Sequence, residues 1–262
     1  MKHYGLIGEH LGHSLSVPIH EIVFRELGIH ADYKLIEIPK EGFSETFSGI
    51  LPHYDGLNVT IPYKKDVMPH MHKLDPLATQ VGAVNTIAVS DTVTGYNTDV
   101  KGFAVMLETA GIPVEGKPCY ILGTGGASLA IHVALRQLGA ASVTFVSRTP
   151  RNGMLSYDEL TDVFSGVLVN CTPAGMFPHS DTCPLTEKQL DIMLPRASGV
   201  ADLIYNPSET LLTRAAHEAG IPRCTGLTML VAQALEAERI WQGHDMPSHL
   251  LPLILSELPS FL

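Results

Sequence analysis

"CYILGTGGASLAIHVALRQLG", residues 119–139, decides the fold of the second half of the chain. An apolar run, a glycine-rich turn and an amphipathic stretch follow in the order strand, turn, helix. Gly123 permits a tight turn, and Gly125 and Gly126 let backbone N–H groups approach a pyrophosphate. The helix then presents its positive end to that group. The stretch therefore predicts a dinucleotide site.

The context of the glycine turn favours this site over a simple tight turn between a strand and a helix. Ala127 or Ser128 can replace the third glycine of such a site, where the helix packs on the strand. A further apolar run, "SVTFVS" at residues 142–147, follows the helix. This order of elements, more than the glycines themselves, indicates the nucleotide site.

The end of that next strand, Ser147-Arg148-Thr149, indicates which dinucleotide is bound. An NAD site usually carries Asp or Glu here for the ribose 2′-hydroxyl, whereas an NADP site has an arginine nearby for the 2′-phosphate. Arg148 can hold a phosphate and stack on the adenine, and Thr149 can add a hydroxyl donor. A solvated surface arginine is the alternative, but the position favours NADP.

Working outward, the chain reads as two α/β series divided by the breaker-rich "GIPVEGKP", residues 111–118. Alternating elements predict an open mixed or parallel sheet in the first series and a Rossmann-type sheet in the second. Ser16 is a plausible N-cap for the first helix, which Gly28 would end. The predicted strands are 3–8, 32–38, 56–61, 85–90, 93–97, 118–123, 142–147, 166–172 and 199–206. The predicted helices are 16–28, 41–50, 75–83, 98–111, 126–139, 210–220, 227–242 and 248–258.

Composition narrows the class of protein. Of 262 residues, 45% are hydrophobic and 17% charged, which is typical of a packed globular protein. The net charge of −10 disfavours nucleic-acid binding, which needs a basic face. No signal-peptide core and no apolar run of membrane-spanning length is present, so we expect a cytoplasmic protein without membrane contact. Four cysteines without metal-ligand spacing, and histidines such as His10/His13 and His70/His72 without supporting ligands, predict no metal site.

Polar side chains stand at several strand and turn ends of the first series. Ser14 and Ser16 flank a turn that opens a helix and can bind a carboxylate, although a simple cap is commoner. Asn58, Thr60 and Lys64 follow a strand, where α/β sheets bind ligands. A lysine there can polarise a carbonyl or act as an acid, although a surface charge is commoner. The turns "GAVNT" and "GYNTD" add four more polar residues: Asn85, Asn97, Thr98 and Asp99.

Taken together, these motifs resemble the shikimate dehydrogenase family over almost the whole chain. They are "GEHLGHSLSVPIH", "GLNVTIPYKK", "VGAVNTI", "GYNTDVKGF", "LGTGGA", "SRT", "NCTPAGM", "DLIYNP" and "GLTMLVAQALEAERIW". The resemblance implies a two-domain α/β enzyme that reversibly reduces 3-dehydroshikimate to shikimate with NADPH. It implies a substrate and catalytic domain from residues 1–100 and 236–262, and an NADP-binding Rossmann-like domain from 101–235.

The resemblance also implies roles for individual residues. Lys64 and Asp99 match the catalytic pair that flanks the reacting oxygen, and Ser14 and Ser16 the pair that binds the substrate carboxylate. The predicted substrate residues are Ser14, Ser16, Asn58, Thr60, Asn85, Tyr205 and Gln233. The predicted cofactor residues are Gly123, Gly125, Gly126, Ala127, Ser147, Arg148, Thr149, Arg151, Thr172, Gly226 and Met229.

Two departures from the family pattern affect the cofactor domain. The strand-end motif, usually Asn-Arg-Thr, is Ser147-Arg148-Thr149 here. The segment after it, "TPRNGMLSYDELTDVFSGVLV", is short for a full crossover, which needs a dozen or more residues plus its strand. We therefore predict a truncated cofactor domain that lacks one edge strand and its helix. Arg151, in the shortened loop, becomes a candidate second phosphate ligand.

Two alternatives of function stay open at this point. An enzyme of the same superfamily could act on quinate, with a preference for NAD, although the serine pair favours shikimate and Arg148 favours NADP. A non-catalytic ligand-binding paralogue is disfavoured because both Lys64 and Asp99 are present. We expect a small-molecule substrate as partner and a monomer or homodimer.

Overall fold

The computed structural model describes residues 1–12 and 14–258, and within them the chain divides into two compact units. The first unit takes Met1–Asp99 together with the C-terminal segment from Gln233, and the second takes Val100–Ala232. His13, one of the histidine pair His10/His13, lies outside the described residues. So do residues 259–262, the end of the predicted domain segment 236–262.

The first unit is a mixed sheet, whose described strands run in the order β2-β1-β3-β5-β6-β4. Strand β1 pairs in parallel with β2 and β3, whereas β5 is antiparallel to β3 and β6. The strands and helices are β1 (Lys2–Gly8), α1 (Ser16–Leu27), β2 (Ala31–Glu37), α2 (Phe43–Ile50), β3 (Gly56–Val59), β4 (Lys73–Leu74), α3 (Pro76–Val81), β5 (Thr86–Ala88) and β6 (Thr94–Tyr96).

The second unit is a parallel sheet, whose described strands run in the order β11-β10-β9-β7-β8. Strand β9 is buried at every position, as expected for a central parallel strand covered on both faces. The elements are α4 (Asp99–Thr109), β7 (Pro118–Leu122), α5 (Ser128–Gln137), β8 (Ser142–Val146), α6 (Tyr157–Val163), β9 (Gly166–Asn170), α7 (Glu187–Met193), β10 (Ala197–Asp202), α8 (Leu211–Glu218) and β11 (Arg223–Thr225).

Strand β8 is the last full strand on its side of the second sheet. Beyond it the chain returns through a loop in which Leu155 alone bridges Val146 in parallel. The Leu155 N–H donates to Phe145 O and its carbonyl accepts from Ser147 N, each at 2.9 Å. One residue therefore occupies the position next to β8, before the short helix α6.

Two helices complete the chain, α9 (Leu227–Gln242) and α10 (Leu250–Glu257). Near the end of α9, Trp241 stacks on Tyr4 of β1, with ring centroids 4.6 Å apart. Its indole Nε1–H donates to Ile87 O of β5 at 2.9 Å. Trp241 therefore fixes α9 to two strands of the first sheet.

The α/β class, the mixed first sheet and the parallel second sheet confirm these parts of the predicted fold class. The interpretation of Ser16 as a helix N-cap is wrong, because α1 begins at Ser16 itself and Leu15 occupies the cap position. Gly28 does end α1, in the left-handed conformation. The short elements β4, β11, α6 and α7 were not expected, because strands of two or three residues and helices of seven are too short for a readable periodicity.

Gly56 is a sensitive position for the stability of the first unit. A β-carbon at Gly56 would collide with the Trp241 indole, which is held by Tyr4 and Ile87. We expect Gly56→Ala to lower the free energy of unfolding by about 2 kcal/mol, as in other overpacked cores. Denaturant unfolding measures this effect. The control is Gly49→Ala in α2, where a β-carbon meets open space, and an equal loss of stability in both variants would contradict the explanation.

Candidate functional site

Lys64 and Asp99, the predicted catalytic pair, form an ion pair in the first unit. The Lys64 Nζ donates to Asp99 Oδ2 at 2.6 Å, and the two side chains are 17% and 10% exposed. Partial removal from water strengthens the attraction between the two charges. An ammonium group has three hydrogens, so two remain for another oxygen atom.

Asn85 holds the other oxygen of Asp99. Its Nδ2 donates to Asp99 Oδ1 at 2.8 Å and to Thr98 Oγ1 at 3.0 Å. Its Oδ1 accepts from Thr98 N at 2.7 Å and from Thr86 Oγ1 at 3.2 Å. The Asn85 amide is thus saturated within the unit, and it fixes the Asp99 carboxylate from the side opposite Lys64.

Asn58 is buried in the same polar layer. Its Nδ2 donates to Thr86 Oγ1 at 3.1 Å and to Asn85 O at 3.3 Å, and its Oδ1 accepts from Tyr33 Oη at 2.7 Å. Gln233 joins from α9, where its Oε1 accepts from Thr98 Oγ1 at 3.4 Å. These contacts bring Asn58, Asn85 and Gln233 together with the catalytic pair.

Ser14 and Ser16 lie at the start of α1. The Ser14 Oγ donates to Ser16 Oγ at 3.1 Å and accepts from Ser16 N at 3.2 Å. The two hydroxyls are therefore adjacent, as the sequence predicts for a carboxylate site. Thr60 follows β3, and its methyl group packs closely on Gly8. A β-carbon added at Gly8 would lie 2.8 Å from that methyl group.

The glycine turn has an open backbone at the positions where a phosphate would approach. A β-carbon at Gly125 or Gly126 would meet no heavy atom within 4 Å, whereas one at Gly123 (φ 94°) would lie 2.9 Å from the Thr172 methyl. The residue before α5, Ala127, makes no side-chain cap, so the first N–H groups of α5 have no capping side chain. The turn can therefore accept an anion through backbone groups.

The residues after β8 are on the surface of the second unit. Arg148 and Arg151 are exposed, and neither forms an ion pair with any residue in the described part of the chain. Ser147 Oγ accepts from Thr149 N at 3.2 Å, which shapes the turn around Arg148. Two guanidinium groups are thus accessible to a phosphate.

A buried network holds Thr172 at the end of β9. Thr172 Oγ1 donates to Asn170 Oδ1 at 2.7 Å, and Asn170 Nδ2 donates to Asp202 Oδ1 at 3.0 Å. Asp202 also accepts from Thr210 Oγ1 at 2.8 Å and from Ile204 N at 3.1 Å. Burial raises the pKa of Asp202 to about 6, against smaller lowering by these donors.

Tyr205, Gly226 and Met229 all belong to the second unit. Gly226 N donates to Ile204 O at 2.9 Å, which places it beside the segment that carries Tyr205, and a β-carbon at Gly226 would collide with Leu203 O. Burial raises the pKa of Tyr205. Met229 is buried in α9.

Sequence reasoning missed Tyr33 and Thr86, which contact the predicted site residue Asn58. It also missed Asp202, which is linked to the predicted cofactor residue Thr172 through Asn170. A tyrosine in a strand ordinarily indicates packing, so no sequence signal separates Tyr33 from other core residues. Across residues 1–12 and 14–258, no cluster of His, Cys, Asp or Glu is arranged to hold a metal ion. None of the described helices is both long and apolar enough to cross a membrane.

Known proteins resemble the chain along nearly its full length. A family model described as shikimate dehydrogenase substrate binding domain matches residues 6–87. The NADP(+) shikimate dehydrogenase of Clostridium beijerinckii is 38% identical over 95% of this chain and 95% of its own length. The chain belongs to the shikimate dehydrogenase family.

Solved structures of the shikimate dehydrogenase family share the fold. A chorismate mutase/shikimate 5-dehydrogenase fusion protein from Clostridium acetobutylicum has a TM-score of 0.93 and 37% identity, covering 99% of this chain and 98% of that one. The Thermus thermophilus shikimate 5-dehydrogenase in complex with NADP(H) and shikimate has a TM-score of 0.86 and 29% identity, covering 98% and 99%. The family match at residues 6–87 includes Lys64 and Asn85, while Asp99 follows it.

The raised pKa of Asp202 predicts a pH-dependent stability. Because its pKa is raised from 3.8 to about 6 on folding, the folded state favours the protonated acid, and this stabilisation is lost as the pH rises through 6. We expect the wild-type protein to lose about 3 kcal/mol of unfolding free energy relative to Asp202→Asn between pH 4 and 7.

Denaturant unfolding of both proteins at several pH values measures this difference. The exposed Asp162→Asn, in α6 of the same unit, controls for the loss of one negative charge. Parallel pH curves for the wild-type protein and Asp202→Asn would show that burial does not disfavour the Asp202 carboxylate.

Proposed function

We infer that the chain catalyses the reversible, NADP-dependent reduction of 3-dehydroshikimate to shikimate, a step of the shikimate pathway. The relatives that carry this activity in their names align over nearly the whole chain. Within the site, the observation that carries the inference is the Lys64–Asp99 ion pair of 2.6 Å, in a layer of buried polar side chains.

Lys64 supplies the acid for this reaction in our proposal. When bound, NADPH supplies the hydride for the ketone carbon, and the ketone oxygen then needs a proton. The Lys64 ammonium can donate a hydrogen bond to that oxygen, stabilise its developing negative charge and transfer the proton. In the reverse direction, Lys64 accepts the proton of the substrate hydroxyl.

Asp99 positions Lys64 and balances its charge. One Asp99 oxygen accepts from Lys64 and the other from Asn85, so the carboxylate has little freedom to rotate. Asp99 can also accept a hydrogen bond from the substrate hydroxyl.

The remaining predicted substrate residues hold the other polar groups of shikimate. Ser14 and Ser16, 3.1 Å apart, present adjacent hydroxyls to the carboxylate. Asn58, Thr60, Asn85, Gln233 and Tyr205 complete the set for the ring hydroxyls and carboxylate. Both amide hydrogens of Asn85 are engaged by Thr98 and Asp99, so a substrate hydroxyl would have to replace one of them.

The second unit fits NADP in this proposal. The open backbone at Gly125 and Gly126 and the uncapped start of α5 suit a pyrophosphate. The exposed Arg148, with Ser147 and Thr149, suits the 2′-phosphate. Thr172, Gly226 and Met229 are assigned to the rest of the cofactor. The predicted boundaries, 1–100 with 236–262 for substrate and 101–235 for NADP, belong to the same proposal.

We also propose that the cofactor domain is truncated after Arg148. The single bridge of Leu155 beside β8, followed by the seven-residue α6, supports replacement of an edge strand and its helix. Arg151, exposed in this loop, is then the second phosphate ligand. A monomer or homodimer and a cytoplasmic location stay predictions.

Steady-state turnover with shikimate and NADP, run beside NAD and quinate, tests the function directly. We expect shikimate with NADP to give the highest kcat/KM, and Lys64→Ala to lower kcat about a thousandfold, with a much smaller change in KM. The neighbouring exposed Lys65→Ala is the matched control. A kcat of Lys64→Ala within about tenfold of the wild type would rule out the catalytic role.

Arg148 should determine the preference for NADP over NAD. We expect Arg148→Ala to raise KM for NADP at least about tenfold, because a charged hydrogen bond to phosphate is lost, and to spare turnover with NAD. Arg136→Ala, at the far end of α5, controls for the loss of a surface arginine. Equal losses with NADP and NAD would refute the selective role of Arg148.

A further inference from the structure

Tyr33 contacts a predicted substrate residue, although sequence reasoning gives it no role. The Tyr33 hydroxyl donates to Asn58 Oδ1 at 2.7 Å. One hydroxyl group on β2 is therefore bonded to the side chain of Asn58 on β3.

The phenol of Tyr33 is a permanent hydrogen-bond donor in this position. Tyr33 is buried, and both burial and the Glu238 carboxylate raise its pKa well above the usual range, against a smaller lowering by Ser16. The hydroxyl therefore stays protonated at any pH at which an enzyme is assayed. Because Oδ1 of Asn58 accepts from Tyr33, Nδ2 must face Thr86 and Asn85.

A buried histidine, His20, holds the ring of Tyr33. The His20 ring stacks on the Tyr33 ring, with centroids 4.1 Å apart and planes 9° from parallel. His20 Nδ1 lies 2.6 Å from Glu238 Oε1, and both side chains are essentially unexposed. Glu238 in turn accepts from Gln242 Nε2 at 2.9 Å. Helix α9 therefore fixes His20, and His20 fixes the plane of the Tyr33 ring.

We propose that Tyr33 is a positioning residue for the substrate, which sets the orientation of the Asn58 amide. This role rests on the proposed function, in which Asn58 binds a ring hydroxyl. The hydrogen bond and the ring stacking of Tyr33 go to Asn58 and His20, rather than to the predicted catalytic pair or the predicted cofactor residues. Its loss should therefore weaken the binding of shikimate and leave the chemical step largely intact.

Tyr33→Phe tests the proposal, because it removes the hydroxyl and keeps the ring stacked on His20. We expect KM for shikimate to rise about tenfold, with kcat within about threefold and KM for NADP unchanged, since a buried hydrogen bond that orients Asn58 is lost. Tyr4→Phe is the matched control, since Tyr4 is a buried tyrosine of the same unit whose hydroxyl accepts from Gln242. The melting temperatures of the two variants should be similar.

A double-mutant cycle with Asn58→Ala separates positioning from general destabilisation. If Tyr33 acts through Asn58, Tyr33→Phe should have little further effect on KM in the Asn58→Ala background. Fully additive effects, a shikimate KM within twofold of the wild type, or an equal rise in KM for NADP would each overturn the proposal.

The same variants distinguish this inference from the proposed function. Absence of wild-type turnover would contradict the function, and calorimetric titration with shikimate would still test Tyr33. We expect wild-type protein and Tyr4→Phe to bind shikimate alike and Tyr33→Phe to bind about tenfold more weakly. Equal binding by all three proteins, or binding by none, would overturn the role of Tyr33.

Discussion

The buried amide of Asn85 imposes the constraint on which the first unit depends. A buried amide that lacks partners is costly, so its two hydrogens and its oxygen must all be satisfied within the protein. Thr98 and Asp99, which follow β6, and Thr86 on β5 provide the partners. The antiparallel pairing of β5 with β3 and β6 brings these groups together, and the position of Asp99 then fixes Lys64. The mixed topology of the sheet thus determines the geometry of the Lys64–Asp99 ion pair.

Some features of the fold and of the candidate site can be predicted from the sequence and others cannot, for physical reasons. The glycine turn and the helix after it can be predicted because their signal is local: Gly123 adopts a positive φ, which glycine allows at little cost. The polar ends of the strands are readable because polar residues there have no use in packing. The contact between Tyr33 and Asn58 is not readable, since it joins two strands whose register no local pattern specifies. The resemblance to a known family, rather than periodicity, supplied the roles of Lys64 and Asp99.

The start of α1 shows that sequence-based prediction is also limited for neighbouring residues. A serine before an apolar periodic stretch predicts an N-cap, yet Leu15 takes that position and Ser14 accepts from the Ser16 N–H. Ser14 Oγ thus accepts from the first N–H of α1, and it also donates to Ser16 Oγ at 3.1 Å, so the two hydroxyls stay adjacent. The same two residue types in the same order would fit a conventional cap, and only the backbone conformation of the turn distinguishes the two arrangements.

Three buried carboxylates in the described residues are stabilised by three different kinds of partner. The kind of partner corresponds to what each carboxylate holds in place. Asp99 is paired with the Lys64 ammonium, a cationic partner 2.6 Å away. Glu238 is paired with His20, which makes it an anchor for an aromatic ring. Asp202 has only neutral donors, and burial therefore raises its pKa to about 6. Asp202 holds Asn170 by accepting a hydrogen bond, and Asn170 in turn accepts from Thr172. This function needs the acceptor oxygens of Asp202 rather than its charge, so neutral donors are sufficient partners. Among the described residues, neutral donors thus hold the buried Asp202 of the second unit, whereas the buried Asp99 of the first unit has a cationic partner.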